Sequence, residues 1–129
     1  MLKTAAIVFG VVFLAAGVLG FIPGVTTADQ MLLGIFHVNA LHNIVHLLTG
    51  AVALWAGMAS AHASKLFFQI FGVVYGLVAL LGFIVGEGYL LGLIANNMAD
   101  AWLHVVIAAA ALYLGFMHHE QQPVAVIQH

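Results

Sequence analysis

Two pairs of polar residues stand inside apolar stretches that read as helices. His42 and His46 are four residues apart, and so are Asp100 and His104. That spacing puts both members of a pair on one face of a helix. Imidazole and carboxylate together suit zinc, copper, iron or nickel. Two helices carrying H-x-x-x-H and D-x-x-x-H would supply four ligands from rigid elements, enough for a tetrahedral ion. His37, in the segment before the first pair, is a candidate fifth ligand, and Asn43 adds an amide nearby. The expected metal ligands are therefore His42, His46, Asp100, His104 and His37.

The elements that must position these residues are membrane helices. The chain has 129 residues, 65% hydrophobic and 5% charged, with mean hydropathy +1.20. A soluble domain carries about 25% charged residues. A bilayer core about 30 Å thick needs about 20 apolar residues per helix. Four segments qualify, near 5–22, 39–58, 66–86 and 97–117, which leaves no room for a soluble domain. The chain contains no cysteine, excluding disulfides and thiolate or iron–sulfur sites. There is no basic patch, so nucleic acid is not an expected partner. The lipid bilayer is the expected surrounding.

The chain also repeats itself. Phe9–Gly24 and Phe71–Gly86, 62 positions apart, agree at nine of sixteen positions. At an offset of 58, Leu33–Gly57 aligns with Leu91–Gly115, pairing Asn39 with Asn97, His46 with His104, and His42 with Asp100. The expected fold is all-α: a four-helix transmembrane bundle of two parallel helical hairpins, repeat 1 near 5–58 and repeat 2 near 66–117, forming one domain. Residues 118–129 read as a flexible cytoplasmic tail. The first apolar run resembles a signal peptide, but its twin in mid-chain favours a retained first helix. Lys3 and Lys65 against Asp29, Glu87 and Asp100 place the termini in the cytoplasm by the positive-inside rule.

Asn39 and Asn97 stand where helices 2 and 4 begin and suit the N-cap. Asp100 then falls at the third position, where an acid can close a capping box. His46 and His104 lie about 10 Å deeper along their helices. Glycines recur in helices 1 and 3, including Gly72/Gly76 and Gly82/Gly86. Small residues let helix backbones approach closely. They serve packing within the chain, or a homo-oligomer through helices 1 and 3.

Three readings of the polar cluster stay open. One is the metal site. The second is haem b held between His46 and His104, with electron transfer as its work. The third is a structural or accessory subunit in which the His, Asp and Asn residues hydrogen-bond the hairpins together. No nucleophile constellation or phosphate-binding glycine loop accompanies them, so an enzymatic role is not expected. His62 and the His118-His119-Glu120 group fall at the opposite end of the helices.

Three stretches carry a resemblance: GFIPGVT (20–26), LGIFHVNALHNIVHLLTG (33–50) and N-x-x-D-x-W-L-H (97–104). They resemble an uncharacterised family of small bacterial four-helix membrane proteins with an H-V-N-x-L-H-N-x-V-H motif. The resemblance implies a bacterial inner-membrane location and supplies no activity. In that pattern Asn follows the acid of the second half; here the residue is Ala101.

Overall fold

The computed structural model describes residues 1–118. Of the expected tail, residues 119–129 lie outside the described residues, as do His119 and Glu120. Four main helices form: α1 (Leu2–Leu19), α2 (Ala40–Ala59), α3 (Ala61–Val85) and α4 (Met98–Leu112), the last continued by a π-turn over Tyr113–Met117. Each of the four spans, α4 counted with its π-turn, is long and apolar enough to cross a membrane. Their outward faces are apolar, with Leu77, Ile84, Trp55 and Val106 among the exposed side chains. Water would penalise such a surface; lipid does not.

Helix α1 packs chiefly on α2, and α3 on α4. Glycine sets the distance within each pair. A Cβ on Gly10 would stand 2.8 Å from the Gly50 carbonyl oxygen, and one on Gly57 would stand 2.8 Å from that of Lys3. In the other pair, a Cβ on Gly115 would stand 2.7 Å from the Gln69 nitrogen. Gln69 adds a hydrogen bond from Nε2 to the Gly115 carbonyl, 2.9 Å. Of the Gly72/Gly76 pair, only Gly72 is needed for close approach: a Cβ there would meet Leu112 at 3.0 Å, whereas Gly76 has nothing nearer than 3.9 Å.

The end of the bundle near the α2–α3 turn is filled by Phe67, Phe68, Leu2 and the small residues Ala6, Ala53, Ala56 and Ala111. Phe9 lies against both phenylalanines edge to face, a favoured arrangement of aromatic quadrupoles. The turn itself is one residue, Ser60. Its hydroxyl accepts from Ala63 N–H while its own N–H donates to Ala56, so one residue ends α2 and starts α3.

At the other end, two short antiparallel hairpins replace the expected loops. Strands β1 (Met31–Leu32) and β2 (Phe36–His37) precede α2; β3 (Gly88–Leu90) and β4 (Ile94–Asn96) precede α4. Each turns on Leu-Gly, with Leu33 at φ 56 and Gly34 at φ 71, and Leu91 at φ 52 and Gly92 at φ 71. Leucine in the left-handed region is unusual, so this turn does not carry the Asn-Gly mark of a hairpin.

The glycine contacts yield a contrast that can be measured. Gly10→Ala forces backbone apart at the α1–α2 crossing and is expected to cost about 1–3 kcal/mol, the usual range for overpacking. Gly76→Ala meets only ordinary contact and should leave stability unchanged or slightly raised. Equilibrium unfolding in mixed detergent micelles checks both; equal effects would refute the assignment of these glycines.

Candidate functional site

The first turns of α2 and α4 are built alike. Asn39 Oδ1 accepts from His42 N–H at 2.9 Å, and Asn97 Oδ1 accepts from Asp100 N–H at 2.9 Å. This fixes where each amide group points. With the oxygen turned to its own helix, Asn39 Nδ2 donates to the Leu93 carbonyl of the far hairpin, 2.9 Å. Asn97 Nδ2 donates to the Ile35 carbonyl of the near one, also 2.9 Å. Each asparagine therefore caps one helix and ties it to the other half of the chain.

Beneath this latch, one to two turns into the helices, three imidazoles meet. His42 and His46 come from α2 and His104 from α4. Ring centroids are 4.5 Å apart for His42–His46, 5.9 Å for His42–His104 and 6.3 Å for His46–His104. One ring nitrogen of each lies within 4.8 Å of those of the other two. All three side chains are buried, at 2%, 7% and 3% exposure. Both nitrogens of His42, both of His46 and Nδ1 of His104 are buried with no hydrogen-bond partner among the described residues. The backbones of Ala95 and His37 approach the His42 ring, but without hydrogen-bonding geometry.

Aromatic rings flank the triad. Phe13 of α1 lies edge-on to His46, centroids 5.4 Å apart, and Tyr75 of α3 lies 5.5 Å from His104. Phe13 and Tyr75 occupy matched positions of the sequence repeat. Tyr75 carries the one hydroxyl of the two, and it is bonded to the Thr49 hydroxyl of α2 at 3.0 Å. Neither Tyr75 nor Thr49 belongs to a chemistry-bearing motif in the sequence. The only trace of them was a hydroxyl on one ring of a matched aromatic pair.

Asp100 and His37 lie outside the triad. The Asp100 carboxyl, 2% exposed, turns back to its own cap: Oδ2 accepts from Asn97 N–H at 3.0 Å. That closes a capping box, as the residue's third position on the helix allows. It shares with His46 the lining of a crevice between α1, α4 and the first hairpin. His37 sits on β2, its ring edge-on to Tyr89 with centroids 5.6 Å apart. Its Nδ1 stands 3.4 Å from the Asn96 carbonyl.

Two further asparagines close the halves differently. Asn43 packs against Gly20 at the end of α1, where any Cβ would collide with its amide. The matching pair in the second half is Ala101 and Gly82. There Asn96, from β4, fills the place: its Oδ1 would stand 2.9 Å from a Cβ on Gly82, and its Nδ2 donates to the Gly82 and Gly86 carbonyls. The amide missing at Ala101 is thus supplied from the strand.

Four apolar spans and a buried polar cluster define a small multi-pass membrane protein whose chemistry-bearing side chains meet inside the bundle. The chain belongs to the family described as Domain of unknown function (DUF4383), which matches residues 3–117. No curated protein and no solved structure matches it.

The asparagine latch can be separated into its two parts. Asn97→Ser keeps a capping oxygen but cannot reach Ile35, and should cost about 1 kcal/mol, one hydrogen bond. Asn97→Ala loses the cap as well, which adds about another 1 kcal/mol. Unfolding in detergent that ranks serine with wild type would remove the cross-link from the account.

Proposed function

We propose that this protein binds a transition-metal ion through His42, His46 and His104. One observation carries the reading: three buried imidazoles converge, yet their nitrogens make almost no hydrogen bonds. Buried polar groups without partners are costly, more so in lipid. A shared cation would occupy the lone pairs of all three at once. Ligand nitrogens on a tetrahedral ion at about 2.0 Å stand about 3.3 Å apart. Nitrogens already within 4.8 Å reach that arrangement through small side-chain rotations. Three neutral imidazoles suit zinc or copper, with iron and nickel less favoured in the absence of a carboxylate ligand.

The same geometry favours an ion over a haem. Two axial imidazoles must leave a flat macrocycle between them. His42 stands 4.5 Å from His46 and 5.9 Å from His104, in the space such a ring would need. The purely structural reading draws its support from the asparagines, whose amides do bond between the halves. The histidines make no such bonds to one another or to Asp100. In this reading the asparagines hold the halves together and the histidines hold the ion. His37 and Asp100 act from outside the coordination sphere, Asp100 as a nearby carboxyl in low dielectric.

Metal analysis by inductively coupled plasma on tag-free protein purified in detergent tests the reading. One equivalent of zinc or copper is expected in the wild type and none in a His46→Ala/His104→Ala variant. Bound metal stabilises the folded state by mass action, about 2.7 kcal/mol at one hundred times the dissociation constant. A chelator should therefore lower the thermal midpoint of the wild type and leave that of the variant unmoved. Wild-type protein that takes up no metal, and whose midpoint ignores the chelator, would return the triad to a structural role. A Soret band lost in the same variant would instead establish haem.

A further inference from the structure

Three histidines leave a tetrahedral ion with one position unfilled, the arrangement of catalytic rather than structural sites. Besides the crevice that His46 shares with Asp100, two crevices reach the triad from opposite sides. One, between α2 and α3, has a volume of about 120 Å³ and is lined by all three histidines together with Thr49 and Tyr75. The other, between α1 and α4, is about 260 Å³ and touches only His46 of the triad. Their walls correspond in sequence. Tyr75 and Thr49 on the first side match Phe13 and Ile107 on the second. Of these two crevices, only the one that exposes all three ligands is lined by hydroxyls, while the Asp100 carboxyl lies on the α1–α4 side.

A count of hydrogens gives those hydroxyls a direction. Tyr75 and Thr49 carry one each, and the 3.0 Å bond between them uses one. Both side chains are buried, at 4% exposure, and neither makes another hydrogen bond among the described residues. One O–H is thus left to donate beside the triad. The Tyr75 ring lies 5.5 Å from that of His104, while the Thr49 hydroxyl sits on the helix that carries His42 and His46. If Thr49 donates to the phenolic oxygen, the tyrosine proton is the free one.

Charge points the same way. A divalent ion on three neutral imidazoles keeps its full charge inside the bundle, where uncompensated charge is expensive. An anionic fourth ligand halves it. An apolar cavity of about 150 Å³ holds a molecule the size of benzene, so this crevice admits an anion of a few atoms.

We propose that the α2–α3 crevice seats a small anion as the fourth ligand of the ion held by His42, His46 and His104, and that the Tyr75 hydroxyl, oriented by Thr49, donates a hydrogen bond to it. This rests on the metal reading of the triad. Tyr75 is a positioning residue: it holds the exogenous ligand and not the ion.

The test uses cobalt(II) as the metal and azide as the anion, with full-length protein in detergent at fixed pH. Visible absorption reports the coordination of cobalt. Wild type is expected to bind one cobalt, and azide to shift its bands saturably. Tyr75→Phe should bind cobalt equally and azide at least about tenfold more weakly, the effect of losing a hydrogen bond to a charged acceptor. Thr49→Val keeps the phenol and should weaken azide by a smaller factor. A wild type that binds no cobalt overturns the metal reading itself. Cobalt bound with spectra indifferent to azide leaves that reading standing and overturns the open position. Equal azide affinity in wild type and Tyr75→Phe overturns the role of Tyr75, as does a larger loss in Thr49→Val than in Tyr75→Phe. Should Tyr75→Phe fail to fold, Thr49→Val decides alone: azide affinity unchanged from wild type overturns the proposal.

Discussion

Inside a bilayer every polar group must find its partner within the protein, because the hydrocarbon offers none. The rest of this structure follows from that constraint. The ends of α2 and α4 each leave backbone N–H groups without helical partners, and an asparagine meets the need at both. With its oxygen committed, its nitrogen donates to a carbonyl of the opposite hairpin. The two halves are thereby tied together at the helix ends above the histidines. The glycine contacts of α1 on α2 and of α3 on α4 hold each pair close. The triad itself bridges α2 and α4, the helices that carry the latch.

The two halves match in sequence but have diverged where they meet. Phe13 and Tyr75 take the same place beside His46 and His104, yet one ring has a hydroxyl. His42 and Asp100 share a register position, yet one points a ring into the cluster and the other turns its carboxyl back to cap its own helix. Asn43 and Asn96 fill equivalent gaps beside Gly20 and Gly82 from different elements, a helix and a strand. Such differences put a hydroxyl pair on one side of the cluster and the Asp100 carboxyl on the other, which an exact two-fold arrangement could not do.

Much of this was legible in the sequence. Length and hydropathy marked the four spans, the repeat marked Asn39 and Asn97 as equivalent caps, and it put His46 and His104 at one depth without showing that their helices meet. The hairpins were not legible, because a turn on Leu-Gly lacks the residues that usually announce one. Asp100 was legible as a cap and also as a ligand, since helical spacing alone puts it on the face of His104. In the structure the carboxyl takes the capping role, one of its oxygens accepting from the Asn97 N–H in front of it. Asn96 was illegible because its partner, the end of α3, is brought to it by the hairpin.

Five of the six ring nitrogens of the triad are buried without a hydrogen-bond partner among the described residues, as are the side-chain oxygens of Asn43 and Asn96. Asn97, Asp100, Thr49 and Ser64 find acceptors or donors, most of them backbone, and Asn96 does so through its nitrogen. A chain that meets the demand of so many polar groups would gain nothing by burying three imidazoles without partners, when leucine or phenylalanine would fill the same volume at no desolvation cost. In the proposed metal reading, their convergence from two helices serves a ligand that needs all three. A cation is the simplest such ligand, because it uses lone pairs that no neighbouring donor occupies. In that reading the hydroxyl pair beside them has a use as well, as the donor to the exogenous fourth ligand of the cation rather than as a ligand itself.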